Sequence, residues 1–331
     1  MVGAVRRYVV KRLLLVGPAL FGIIALNFAV VQLAPGGPVE SLVAHYRALA
    51  PVGVYRGGAV DVAQLNAQFG FDQPLLTRFW EMVRGYLTFN LGTSFTLGVP
   101  VAGLIWQRLP VSLSLGLWST LMVYAVSVPL GIAKAVRDGS RFDVGSSVVI
   151  LALYAVPGFL LASFLVVMLG QGGVFPVFPL RGLGDGVWDY AWHMVLPTVA
   201  MTAGGFASLT MLTKNSVLEE MNKLYVTTAR AKGLSEMRVM LRHVLPNAML
   251  LMVAGFPAAL TAILFTSALL VEIIFSLQGL GQLGYTAALQ RDYPVMFGTL
   301  YVYTLTGLIL RLLGDLMVAV LDPRIDFDAR E

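Results

Sequence analysis

Six apolar stretches govern what this chain of 331 residues can fold into. They are Leu13–Ala34, Val111–Ala133, Val144–Leu169, His193–Leu212, Ala248–Phe275 and Val295–Leu321. A helix needs about 20 apolar residues to cross the hydrocarbon core of a bilayer, and each stretch supplies them. With 57% hydrophobic and 12% charged residues, the composition excludes an ordinary soluble enzyme, whose charged share runs near 25%. It equally excludes a disordered chain, which would lack such runs. There is no cysteine, so disulfides and thiolate metal sites are out. His45, His193 and His243 lie too far apart in sequence to form a recognisable ligand cluster.

Charge sets the expected orientation. The chain carries 23 Lys and Arg against 18 Asp and Glu. With the N-terminus inside, the inner segments collect Arg6, Arg7, Lys11, Arg12, Lys134, Arg137, Arg141, a group from Lys214 to Arg242, and Arg324 and Arg330. That makes fifteen inside against seven outside, which points to six spans with both termini in the cytoplasm. The first stretch follows a basic segment as a signal peptide would. Its apolar core is too long for one and ends in Ala34-Pro-Gly-Gly37, so a retained anchor is expected.

The segment from 35 to 110 is expected to form a helical extracytoplasmic insertion. Asp61 to Phe69 reads as a helix closed by Gly70. Pro74 opens another, with Leu75, Leu76, Phe79, Met82, Val83 and Tyr86 on one side. It is either a cap on the outer mouth or a docking surface for an external partner. No HExxH, GxSxG or Walker A motif is present. Gly279-Leu-Gly-Gln-Leu-Gly284 has the GxGxxG spacing but lacks its strand and its downstream acid, and reads as a glycine-rich turn. No nucleic-acid signature is visible.

The segment 214–245, between the fourth and fifth stretches, carries the most information. Tyr225 to Lys232 makes two helical turns, Gly233 can take a left-handed stop, and Ser235 can cap a second helix running to Leu245 before Pro246. Two turns are unstable alone and need a support or a partner. Thr227, Thr228, Ala229 and Ala231 are small enough for a partner backbone to approach closely. On its own this could equally be a solvated basic loop.

Gly233 followed by Leu245-Pro246 resembles the EAA–G–LP signature of permeases in binding-protein-dependent ABC importers. The consensus glutamate falls on Thr227, its two alanines on Thr228 and Ala229, and the apolar residue two before Leu-Pro on His243, so three positions depart. Thr228-Ala-Arg-Ala-Lys-Gly-Leu-Ser235 with Arg242-His-Val-Leu-Pro-Asn-Ala248 resembles the B-type permeases of peptide and nickel importers. The likeness continues through Val31-Gln-Leu-Ala-Pro-Gly-Gly-Pro38, Asp72-Gln-Pro-Leu-Leu76, Glu272-Ile-Ile-Phe-Ser276, Arg291-Asp-Tyr-Pro294 and Leu321-Asp-Pro-Arg-Ile325. The Pro-Gly-Gly-Pro-Val-Glu form and the Arg311/Asp315 pair resemble the Yej-type oligopeptide and microcin C branch.

The resemblance implies an all-α, type I permease fold forming a single domain over residues 1–331 of a bacterial inner membrane. It implies a second C-type permease, two cytoplasmic ATPase domains, an extracytoplasmic solute-binding protein, and a peptide solute, with nickel or another small solute as the alternative. ATP and Mg²⁺ would belong to the ATPase subunits, and this chain would hold no cofactor. Thr227, Thr228, Ala229, Arg230, Ala231, Lys232, Gly233, Leu234 and Ser235 would form the coupling helix that enters an ATPase groove.

Inside the spans, Arg311 and Asp315 lie one helical turn apart and can pair, lining either a path or a subunit interface. Glu272 sits near the outer end of the fifth span and is expected to be solvated. Small-residue stripes at Ala200, Gly204, Ser208 and at Ala254, Ala258, Ala262, Thr266 are expected to pack helices closely. A self-sufficient secondary transporter would normally show internal repeats, which the chain lacks, and a passive anchor would not need the intramembrane pair.

Overall fold

The computed structural model describes residues 2–33, 72–179, 182–184, 186–266 and 268–321. The expected helix at 61–69, the Pro-Gly-Gly-Pro run and the Asp-Pro-Arg-Ile tail lie outside them. In chain order the helices are α1 (Val2–Leu33), α2 (Leu75–Leu87), α3 (Val101–Val136), α4 (Arg141–Ala155), α5 (Gly158–Leu169), α6 (Val187–Met221) and α7 (Leu224–Ala231). They continue as α8 (Glu236–Val239), a π turn (Met240–Val244), α9 (Leu245–Thr266), α10 (Ala268–Ile274), α11 (Leu280–Leu289) and α12 (Tyr293–Leu321).

Among the described residues four helical segments are long and apolar enough to cross a membrane: α3, α6, the run from Glu236 to Leu264, and α12. The apolar part of α1, Leu14–Val30, is shorter. The third apolar stretch, expected as one span, is instead α4 and α5 set at 94° to each other. Pro157 causes the break. It has no N–H to donate and drives Val156 out of helical geometry, to φ −86° and ψ 117°.

One compact unit comprises residues 11–110 and 279–308. Leu20 and Ile24 of α1, Val83 and Tyr86 of α2, and Phe297 and Tyr301 of α12 share its core. Phe79 meets the edges of Phe21 and Phe28 with ring centres 5.7 and 5.3 Å apart. Leu75 and Leu76 were expected on this packed side but are exposed, because the stripe of α2 reaches the core only from Phe79 onward. The glycine-rich run is also not a turn: Gly279 precedes α11, whose first turns contain Gly281 and Gly284.

Asp292, buried ahead of α12, accepts hydrogen bonds from Ser94 Oγ (2.6 Å), Thr96 Oγ1 (2.8 Å) and the backbone N–H groups of Phe95 and Thr96 (3.2 Å each). This one carboxylate organises the connection from α2 to α3. That connection also ends sooner than expected, since α3 begins at Val101 and runs through Pro110.

The other unit comprises residues 1–10, 111–278 and 309–331. Leu115 of α3, Ala162 of α5, Met194 and Ala200 of α6, and Val271 and Phe275 share one of its cores. At Gly131 of α3 a Cβ would stand 2.6 Å from Thr213 Cβ and 2.7 Å from the Thr210 carbonyl oxygen of α6, so only glycine permits this approach.

Candidate functional site

The helix expected at Tyr225–Lys232 is α7, Leu224–Ala231. It ends as anticipated: Gly233 has φ +77°, and its N–H donates to the Arg230 carbonyl at 2.9 Å. Support for so short a helix comes from behind. Val226 and Ala229 are buried in a cluster with Ala135 of α3, Val217 of α6, and Val239, Val244 and Ala248. Leu234 packs partly against it. Thr227, Thr228, Arg230, Ala231, Lys232, Gly233 and Ser235 remain exposed. Ala229, read as part of a face open to a partner, is therefore turned inward.

Ser235 precedes α8 with extended backbone but makes no side-chain capping bond. Glu236 instead pairs with Arg230 at 2.9 Å, tying α7 to α8 across the glycine stop. The second helix does not stop at Pro246 but continues from Glu236 to Leu264. The π turn over Met240–Val244 widens the coil just before the proline, relieving the clash between its ring and the carbonyl four residues earlier. The His243 carbonyl accepts from Asn247 Nδ2 (3.1 Å) and Tyr225 OH (3.3 Å). Tyr225 also donates to Glu220, which pairs with Lys223.

A second constellation lies at the foot of α3, α4 and α6, where only loop charges were expected. Lys134 is fully buried. Its Nζ donates to the Asp143 carbonyl (2.7 Å), Ser146 Oγ (2.8 Å) and Ser147 Oγ (2.7 Å), and stands 3.0 Å from Asp143 Oδ1. Lys214 of α6 bridges Asp143 Oδ2 and Asp138 Oδ1, each at 2.7 Å. Lys214, then Lys134, hold the Asp143 carboxyl well below the usual carboxylate range. A sequence signal existed: Ser140-Arg-Phe-Asp143 has the capping-box spacing, and Ser140 Oγ accepts from the Asp143 N–H at 3.2 Å.

Above this foot is a cavity of about 610 Å³. Thr120 and Tyr124 of α3, Tyr154 of α4, the Val156-Pro157-Gly158 break, Met201, Gly204 and Ser208 of α6, and Met252, Gly255 and Ala262 of α9 line it. None of its described lining residues is charged. Tyr124 OH is committed to the Met252 carbonyl at 2.9 Å. Gly204, Ser208 and Ala262 were expected to bring helices together; within this chain they face open space.

The intramembrane acids and Arg311 differ in burial. Glu272, expected to be solvated, is fully buried, and Ser112 Oγ donates to its Oε1 at 2.6 Å. Burial follows because α10 packs against α5 and α6 on the side that carries Glu272. Arg311 is exposed and Asp315 half-buried on α12.

Residues 127–327 match the family model described as "Binding-protein-dependent transport system inner membrane component". The chain is 48% identical to the "Inner membrane ABC transporter permease protein YejB" of Escherichia coli, over 98% of this chain and 99% of that one. It is 45% identical to the "Peptidoglycan transport system permease protein YejB" of Agrobacterium fabrum, with the same shares covered. The "Oligopeptide transport system permease protein AppB" of Bacillus subtilis is 31% identical over 97% and 99%. Among solved structures, an inward-facing MetNI methionine ABC transporter chain superposes with a TM-score of 0.52 and 18% identity, over 66% of this chain and 96% of that one, which bears on the fold alone. A family match over most of the chain, relatives aligned nearly end to end, and several long apolar helices therefore agree: the chain belongs to the binding-protein-dependent inner-membrane transport components, and is a multi-pass inner-membrane protein that serves as the permease component of an ABC importer.

Proposed function

We propose that this permease forms half of a translocation path for peptides, with a similar C-type permease forming the other half. In this reading six spans cross the membrane with both termini in the cytoplasm, and residues 35–110 form an extracytoplasmic insertion that receives a solute-binding protein. Two ATPase domains supply ATP hydrolysis, and this subunit catalyses none. The relatives named for peptide and peptidoglycan transport support the solute class. The cavity supports it too: about 610 Å³ walled mainly by apolar groups suits peptide side chains better than an ion needing charged or imidazole ligands.

One observation carries the docking assignment. Thr227, Thr228, Arg230, Ala231, Lys232, Gly233 and Ser235 are exposed, on a segment anchored by Val226 and Ala229 from behind and by the Arg230–Glu236 pair along its length. An eight-residue helix held this way can take thrust from a partner without a large apolar face of its own. Closure of the ATPases on ATP would draw this helix toward its counterpart on the second permease and swing the spans that line the path. Arg311 and Asp315 are assigned to the subunit interface, where a self-neutralised pair limits the cost of burial. Glu272, bonded to Ser112, is assigned to positioning α10.

The natural chain lacks cysteine, so Ala231→Cys introduces a unique thiol. It should crosslink to an ATPase subunit in the assembled complex, whereas Ala229→Cys, buried, should not. Absence of a crosslink from residue 231 in a complex that is actively transporting would remove the docking assignment. Uptake of nickel in place of peptides by the reconstituted complex would overturn the solute.

A further inference from the structure

Lys134, Asp138, Asp143 and Lys214 form a neutral four-charge cluster, and stability alone does not explain it. Desolvating such groups offsets much of their attraction, and well-packed apolar side chains would hold the same helices together as well or better. What the ionic arrangement adds is fixed geometry. Lys134 is bound to three oxygens of the first turns of α4 and paired with Asp143, while Asp143 is shared with Lys214 on α6. The Gly139 N–H donates to Asp143 Oδ2 at 3.1 Å, closing the α3–α4 turn onto the same carboxylate.

The cluster's position says what that geometry serves. Ala135, next to Lys134, and Val217, one turn beyond Lys214, belong to the apolar cluster that seats Val226 and Ala229 of α7. In the other direction α4 leads directly to the Val156-Pro157 break in the cavity wall. The charges therefore join the element that would meet the ATPase to the bent α4–α5 pair that lines the cavity.

We infer that Lys134, Asp143 and Lys214 are positioning residues that make the α3–α4 hairpin and the foot of α6 move as one piece with α7, so that movement at the ATPase reaches the broken helix. This rests on the importer reading above. Loss of the link would leave the ATPases able to cycle while the cavity wall no longer follows them. The test reads coupling itself.

The complete complex with its binding protein is reconstituted in liposomes, and peptide uptake and ATP hydrolysis are measured together. In Lys214→Met, peptide moved per ATP should fall about tenfold, a modest coupling free energy, while hydrolysis stimulated by the binding protein and subunit recovery stay within about twofold. Lys214→Arg, which keeps the charge, should restore most of the ratio. Parallel loss of uptake and hydrolysis, or an unchanged ratio, would overturn the inference. If Lys214→Met does not assemble, Asp138→Asn removes only the more exposed partner of Lys214 and should lower the ratio about twofold to threefold; an unchanged ratio there would equally overturn it. A wild-type complex that fails to move peptide would instead count against the importer reading.

Discussion

At Gly233 the backbone lies at φ +77°, and a Cβ there would meet nothing within 4 Å. The position demands glycine for its conformation and not for space. Gly233→Ala should therefore lower stability by about 1–2 kcal/mol. Gly233→Asn, which tolerates the left-handed region, should recover part of it. Thermal unfolding of the purified subunit in detergent should rank the three as Gly, Asn, Ala; an alanine variant as stable as the parent would refute the conformational argument. This residue was legible in the sequence because a helical stop needs only local information. Glu272 was not. Its place near the end of an apolar run suggested water, but its burial depends on α5 and α6, which come from distant parts of the chain. Lys134 was misread for the same reason: in the string it is a loop charge, and in the fold it lies between two helices.

At the level of elements, α7 shows how little a short helix owes to its own propensity. Its two ends were readable, and so was the need for support, but not which residues supplied it. Leu224 is 86% exposed while Val226 is wholly buried, although both are apolar and two positions apart. Val226→Ala should cost about 2 kcal/mol from the lost methyl groups and the space they leave, and should loosen the whole helix. Leu224→Ala should cost almost nothing. Limited trypsin digestion at Lys223, Arg230 and Lys232 reads the difference: cleavage should accelerate in the Val226 variant and not in the Leu224 variant. Equal rates would mean that α7 is held by something other than its apolar anchors. The passage from α8 into α9 was only half legible. Pro246 signalled an interruption, and the chain answered with one π turn and a continuing helix.

For the molecule as a whole, hydropathy marked where the long apolar helices lie, because each must carry enough apolar residues to cross the bilayer, but not where they begin and end. It could not see the 94° bend between α4 and α5, since one proline is averaged away in a long apolar run. Nor could small residues say which contact they serve. Gly131 brings α3 and α6 together, whereas Gly204 and Ser208 open onto the cavity. Gly131→Val should force the two helices apart and cost about 1–3 kcal/mol, lowering the melting temperature of the subunit. An unchanged melting curve would show that the α3–α6 contact is not what holds this unit together.

The buried charges at the foot of these helices also bear on how the protein is made. Lys134 and Asp143 are nine residues apart in one hairpin, so they can neutralise each other as soon as α3 and α4 have left the ribosome. Asp138 belongs to the same hairpin, and Lys214 completes the set only when α6 arrives. Until then the hairpin's share of the cluster is one lysine against two carboxylates, so the later helix brings the charge that balances it.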